Sequence, residues 1–493
     1  MANNSYRSIA KANTIFGGVQ IFNIIIGIIR SKVVAVLLGP HGVGLMGLFQ
    51  STIDLVRAGT NCGLQTSAVR DVSIAHESGD REEVSLVKSI VNRLVWLTGF
   101  LGTVLTIIFA PQLSDLTFGS YDYTLEFRVL SIIVLVSQLT AGANVVLQGT
   151  RQLKKLALAN MFGGLTGLVI NIPLFYIWGE DAIVAVLIIN AIVLFFIAKY
   201  NVSKLNITNC SVNWKQVFRR GSLMLKMGFL IGLTGLMDYL VIYIIKVGIQ
   251  KYGSLEEVGL YTAGYAIITQ YVSLIFGAIA TDYYPRLSAA SKDKDEYSGV
   301  INKQFEILIL VLLPMIMFFI ALSPYIIRVL YTEQFVSISS MVNWIAVGML
   351  FRAASWCPGF LYLAKGDSSL YFITYVITFI LEVVFYLLFY KIWGLTGIGI
   401  AFCFLYVLSF IATILIAKFR YHFSYDKSSV VFLILSIACG VVVLIIDSFI
   451  VSVLKLYILL ILACILSYYC LKELNRRLDF KASMSKLRTR FKK

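Results

Sequence analysis

Twelve charged side chains fall within or at the edge of long apolar runs, and their types limit the chemistry the chain could perform. Arg30, Lys32, Arg57, Lys246 and Arg352, together with Asp54, Asp238 and Glu382, are the candidates for function; Arg128, Lys226, Asp282 and Glu306 lie close to run ends, where reaching toward the headgroups is the expected reading. A charge near the centre of a bilayer costs about 2.5–3.5 kcal/mol on insertion scales, so each should meet a wet cavity or an opposite charge. A guanidinium forks around phosphate in bidentate fashion and keeps its charge at any physiological pH. A cavity lined by Arg30, Arg57 and Arg352, with Lys32 and Lys246 as further candidates, would therefore suit an anionic ligand. Asp54 and Arg57 lie on one helix face and can pair, so a purely structural ion pair competes with a ligand role. Arg30 and Lys32 cannot share a face, and Arg30 lies deeper from the Gly39-Pro40 end. Lys246 is near the outer end of its run, where reaching toward the headgroups competes. Asp238 and Glu382 fall near the middle of theirs. A carboxylate there can hold a proton near neutral pH, which makes both candidates for ion coupling.

Uncharged amides also dot these runs, among them Gln20, Asn23, Gln50, Asn61, Gln65, Asn144, Gln148 and Gln270. They can exchange hydrogen bonds with sugar hydroxyls or join helix to helix. Other chemistries find no support. His41, His76 and His422 share no metal-ligand spacing. No GxxxxGK[ST] loop is present, so ATP hydrolysis is not built in. The seven cysteines, scattered along apolar faces, read as packing. Neither a metal nor a cofactor is expected, and the chain is not expected to be an enzyme.

The elements that position these residues follow from composition. Of 493 residues 59% are hydrophobic and only 14% charged, against about 25% charged in soluble proteins. Fourteen apolar runs are expected between about residues 10 and 471, each long enough to cross roughly 30 Å of hydrocarbon. The first is too long for the apolar core of a cleavable signal. If the N-terminus is inside, alternation places 31 of the 42 basic residues on the cytoplasmic side and four outside. The net charge of +16 is then a topology signal with both termini cytoplasmic, not a nucleic-acid footprint.

An internal repeat overlies this scheme. Val43-Gly44-Leu45 recurs as Val258-Gly259-Leu260, Arg70 as Arg286, Gly149 as Gly366, Trp178-Gly179 as Trp393-Gly394, and Ala198-Lys199 as Ala417-Lys418. Six helices per half make the repeats parallel, related by a pseudo-two-fold axis along the membrane normal, as in alternating-access transporters. The expected fold is an all-α integral membrane protein of about 14 transmembrane helices. An N-lobe would cover 1–215 and a C-lobe 216–425. Two appended helices with a basic cytoplasmic tail would follow at 426–493, a place to look for protein partners.

The stretch from Arg30 to Leu45, RSKVVAVLLGPHGVGL, resembles the first-to-second helix signature of Wzx-type polysaccharide flippases. Cys62 to Asp71 continues the likeness, as do Asp282-Tyr-Tyr-Pro-Arg-Leu-Ser288 and Tyr362-Leu-Ala-Lys-Gly366, and it covers about 10–420. These flippases belong to the multidrug/oligosaccharidyl-lipid/polysaccharide exporter superfamily, which also holds lipid II flippases and MATE drug exporters. The resemblance implies transfer of an undecaprenyl-diphosphate-linked oligosaccharide across a bacterial inner membrane, for O-antigen, capsule or a related glycan. It further implies that Arg30 and Arg57 engage the diphosphate, and it sets Lys32 where another Wzx-type branch places a lysine. Arg352 has no motif match. Two other functions compete: a MATE-like exporter of small cations, and a membrane-embedded polymerase or ligase. The excess of basic over acidic residues at mid-membrane disfavours the first, and the short loops disfavour the second.

Overall fold

The structure is a computed structural model that describes residues 2–61, 63–208, 210–449 and 453–478. Cys62 and residues 479–493 of the basic tail lie outside the described residues, as do the side chains of Gln20 and Gln270. Among the described residues all regular structure is helical. The helices are α1 (Ala2–Asn61), α2 (Leu64–Glu77), α3 (Arg81–Ile108), α4 (Ala110–Phe118), α5 (Thr124–Gly149), α6 (Leu153–Trp178) and α7 (Ile183–Ser203). They continue as α8 (Trp214–Tyr252), α9 (Leu255–Ala290), α10 (Lys294–Leu330), α11 (Ser339–Ala364), α12 (Ser368–Tyr421), α13 (Lys427–Phe449) and α14 (Val453–Leu478). Polar residues set several starts. Asp80 accepts hydrogen bonds from the backbone N–H of Glu82 and Glu83 at the head of α3, and Asn213 with Gln216 forms a capping box on α8.

Among the described residues ten helical stretches are long and apolar enough to cross a membrane, and the chain is a multi-pass membrane protein. Three of them, Phe22–Asn61, Leu153–Ser203 and Ser368–Tyr421, run to 40, 51 and 54 residues, against about 20 for one crossing. Each is interrupted at a glycine with positive φ: Gly39 at 64°, Gly179 at 54° and Gly394 at 58°. Only glycine adopts that backbone without penalty. At Trp393-Gly394 the chain doubles back, since Phe385 and Phe389 meet Phe404 with ring centroids 5.2 and 5.8 Å apart. In a straight helix, residues 15 apart would be separated by roughly 22 Å. The break between α6 and α7 also reverses the chain, bringing Gly163 against Leu194 and Gly167 against Asn190.

The chain packs as two compact units, residues 1–262 with 330–334 and residues 263–329 with 335–493. The repeat boundary expected at 215/216 and this packing boundary differ. The reason is α8, which follows the repeat junction yet packs against α1, α2, α3 and α4. In the first unit a core of Leu64, Ala68 and Val72 from α2 meets Ile90, Val91 and Leu94 of α3 and Met224 of α8.

Within this unit the repeat becomes visible as geometry. A Cβ on Gly44 would lie 2.0 Å from the Leu255 carbonyl oxygen, and one on Gly259 would lie 1.9 Å from that of Pro40. Pro40 to Leu255 and Gly44 to Gly259 are the same 215-residue step. Each member of the repeat thus touches its counterpart reciprocally, the signature of a local two-fold axis. Lipid gives little hydrophobic incentive for helices to associate, so close backbone approach through small residues supplies the packing.

The second unit is laced by tyrosines. Tyr283 Oη donates to the Cys357 carbonyl at 2.6 Å, Tyr425 Oη to that of Ala354 at 2.7 Å, and Tyr297 to that of Tyr421. α11 runs through Pro358 as one helix. Sequence position suggested that Glu306 reaches the headgroups; instead it is buried and pairs with Arg477 of α14. Arg477 also donates to Ser428 Oγ at 2.9 Å, and Gly440 of α13 packs on Val347 of α11. The last two helices are therefore built into the second unit.

Candidate functional site

The second half of α1 presents Gln50, Asp54 and Arg57 on one face, spaced at four and three residues. Gln50 Nε2 donates to Asp54 Oδ2 at 2.9 Å, and Arg57 Nη2 pairs with Asp54 Oδ1 at 2.9 Å. The guanidinium stays accessible, with about a third of its side chain exposed (34%). It opens on a cavity of 590 Å³ whose walls come from α1, α2, α5, α7 and α8. Periodicity aims the walls: Ser137, Thr140, Ala141 and Asn144 form one stripe of α5, while Gly232, Gly235 and Tyr239 line it from α8. Asp238 also lines it. One cation, one carboxylate and a ring of amides and hydroxyls can grip an oxyanion and its hydroxylated neighbour together.

The other cations of this unit sit elsewhere. Lys246 is buried, and its Nζ donates to the Gly47 carbonyl at 3.0 Å, within electrostatic reach of Asp54. It neither reaches toward headgroups nor lines the cavity. Asp54 is thus flanked by two cations, Arg57 and Lys246. Lys32 Nζ donates to the Tyr331 carbonyl. Arg30 lies ahead of the Gly39 break on α1, is exposed, and is not on the wall of the Arg57 cavity. Sequence reading passed over Gln138 and Tyr239. Gln138 is fully buried and donates through Nε2 to the Arg57 carbonyl at 3.3 Å, holding α5 to α1 at the cavity. A glutamine in a 26-residue apolar helix was the available signal.

In the second unit Arg352 of α11 lines a separate cavity of 380 Å³. Its guanidinium lies over the rings of Phe276 and Tyr406, 5.6 and 5.5 Å from their centroids. Glu382 stands within electrostatic reach, so this unit brings together its two predicted charges. Asp54, Arg57 and Asp238 meet in the first. Among the described residues no cluster of three His, Cys, Asp or Glu could hold a metal.

Comparison with known proteins supplies the class. The model of the polysaccharide biosynthesis protein family matches residues 33–340, and the chain belongs to that family. A protein of Shigella flexneri assigned as an O-antigen transporter is 24% identical over 348 residues, covering 68% of this chain and 79% of its own length. The lipid III flippase of Escherichia coli K12 is 22% identical over 379 residues, covering 75% of this chain and 88% of its own. Among solved structures, the lipid II flippase MurJ in an inward closed conformation aligns with a TM-score of 0.70 at 16% identity, over 94% of this chain and 99% of that one. An inward-facing MATE transporter of the MOP superfamily aligns with a TM-score of 0.65, over 82% of this chain and 94% of that one, also at 16% identity. The fold is the all-α, two-lobe membrane fold of these exporters, as the Wzx-type motifs implied.

Proposed function

We propose that the chain is a flippase that carries an undecaprenyl-diphosphate-linked oligosaccharide repeat unit across a bacterial inner membrane by alternating access. The observation that carries this reading is the partly exposed Arg57 guanidinium, held by Asp54 at the wall of a 590 Å³ cavity. The family membership and the names of the O-antigen and lipid III relatives support the same substrate class. Arg57 takes a diphosphate oxygen through paired N–H donors, while Asn61, Thr140 and Asn144 meet the first sugar. Arg30 and Lys32 on the first half of α1 add positive charge for the diphosphate, and Lys246 acts from behind Asp54 to help hold Arg57 in place. Arg352 serves the glycan from the second unit. The polyprenyl tail stays in lipid. Both termini face the cytoplasm, and the basic C-terminal tail offers a contact for other membrane proteins of glycan assembly.

Asp238 and Glu382 are the carboxylates available for coupling to protons or sodium. Asp238 also supports a second reading, export of small organic cations, because it lines the Arg57 cavity. Purified protein in vesicles separates the two. A flippase moves fluorescent undecaprenyl-diphosphate oligosaccharide between leaflets and loses that flux in Arg57→Ala. A cation exporter moves ethidium and keeps that flux when Arg57 is lost.

A further inference from the structure

The cavity of the second unit is built unlike that of the first. Three helical stripes converge on it: Arg352, Trp356 and Gly359 of α11, then Tyr371, Tyr375 and Thr378 of α12, then Tyr406, Ser409 and Thr413 where α12 returns after Gly394. The first α12 stripe continues one turn to Glu382. Aromatic rings make the walls. Trp356 is braced edge-on by Phe276 at 5.1 Å and Phe360 at 4.7 Å, with Tyr283 stacked behind at 5.7 Å. These contacts pack the rings against one another at the cavity wall.

Three hydroxyls of this lining donate within their own helices. Thr374 Oγ1 donates to the Leu370 carbonyl at 2.9 Å, Thr378 Oγ1 to that of Thr374 at 2.8 Å, and Ser355 Oγ to that of Arg352 at 3.0 Å. Their protons are used within their own helices, so toward the cavity they are acceptors. Arg352 is the reverse. It carries five N–H donors, and the acceptor found for them among the described residues is Met349 Sδ at 3.9 Å. The Phe276 and Tyr406 rings lie against the guanidinium, 5.6 and 5.5 Å from it, and hold its donors in one orientation. Flat apolar walls, a rigid planar donor and a set of hydroxyl acceptors complement a ring with one C–H face and a rim of hydroxyl groups.

We infer that this cavity is a glycan subsite. Its aromatic walls take pyranose rings face-on, and Arg352 donates to two neighbouring ring-substituent oxygens. The inference rests on the flippase reading and concerns the sugar part of its substrate, at the second unit alone.

The test is tryptophan fluorescence of the full chain in lipid nanodiscs. The probe is the repeat-unit oligosaccharide released from the host's own lipid carrier and freed of lipid and phosphate. Saturable quenching is expected in the wild type and is lost in Trp356→Phe, which removes the reporter. Arg352→Gln and Tyr375→Ala, on different helices, each weaken the apparent affinity at least tenfold, whereas Gly299→Ala, on α10 with open space around it, leaves it unchanged. Should one of the two variants fail to fold, the other still decides. Absence of saturable quenching overturns the subsite, as does affinity indifferent to Arg352→Gln and Tyr375→Ala. Equal quenching by inorganic phosphate overturns it too, since the cavity would then read charge rather than a ring. If vesicles containing the wild type still move the lipid-linked glycan, the subsite fails and the flippase reading stands. If they do not, the flippase reading fails independently.

Discussion

Arg57 gains its importance from what surrounds it. Asp54 holds the guanidinium at 2.9 Å, Gln50 holds Asp54, and Lys246 lends a second positive charge from the far side. Removing Arg57 leaves Asp54 still accompanied by Lys246, so Arg57→Ala should fold well and lose flux. A lost hydrogen bond to a charged group is worth about 1.5–3 kcal/mol, which predicts a flux reduction of roughly 10–100-fold in vesicles. Arg57→Lys should recover only part of it, because an ammonium lacks the planar fork. Asp54→Ala should do the opposite in emphasis. It leaves two neighbouring cations without their common counter-charge, and should lower the thermal midpoint more than Arg57→Ala does. The one-face spacing of Asp54 and Arg57 was readable from sequence, and so was their candidacy. The path of Lys246 was not, because nothing in its neighbours announces that its ammonium will end on the carbonyl of Gly47, 199 residues away. Gln138 escaped notice for the same reason: its partner is a backbone atom of another helix.

At the scale of elements, glycine contacts and loop clamps decide which helices can meet. Gly44 and Gly259 interlock so closely that a methyl group on either would fall within about 2 Å of a carbonyl oxygen. Overpacking of this kind costs about 1–3 kcal/mol. Gly44→Ala and Gly259→Ala should each lower the melting temperature in detergent, while Gly299→Ala on α10, with open space around it, should raise it slightly. Equal melting of all three would remove the crossing from the account. The repeat was legible as paired Val-Gly-Leu motifs, and their direct contact follows from the local two-fold axis, which no single stretch of sequence reveals. A clamp of another kind joins the turn before α12 to the end of the same helix. Arg420 donates to Asp367 Oδ2 at 2.9 Å and Oδ1 at 3.0 Å, and Tyr421 Oη donates to Oδ2 at 2.6 Å. These hydrogen bonds, Arg420 first, hold the Asp367 carboxyl below its usual range. A carboxyl whose folded value is depressed adds stability above its unfolded value near about 3.9, and that contribution fades as pH falls through the lower, folded value. Wild type should therefore melt above Asp367→Asn at pH 7, with the gap closing as pH falls below about 4.

On the scale of the whole molecule, the chain is a two-unit membrane protein of the polysaccharide biosynthesis family. Its class was legible early, because 14% charge in 493 residues leaves little to make a soluble surface, and long apolar runs with alternating basic loops leave little but a multi-pass bundle. Division into units was less legible. Sequence repeats mark where a pattern restarts, whereas packing follows contacts, and α8 belongs to one by pattern and to the other by contact. The integration of α13 and α14 was likewise hidden, since it rests on Arg477 meeting Glu306 across 171 residues. The central claim, that an arginine-headed polar cavity passes a diphosphate-linked glycan through the membrane, is tested most directly in the native host. The measurement is the leaflet distribution of lipid-linked oligosaccharide in wild type, a deletion strain and Arg57→Ala. The account predicts that both mutants accumulate the intermediate on the inner leaflet and lose surface glycan. Unchanged sidedness and unchanged surface polymer in the deletion strain, with no second flippase present, would contradict it.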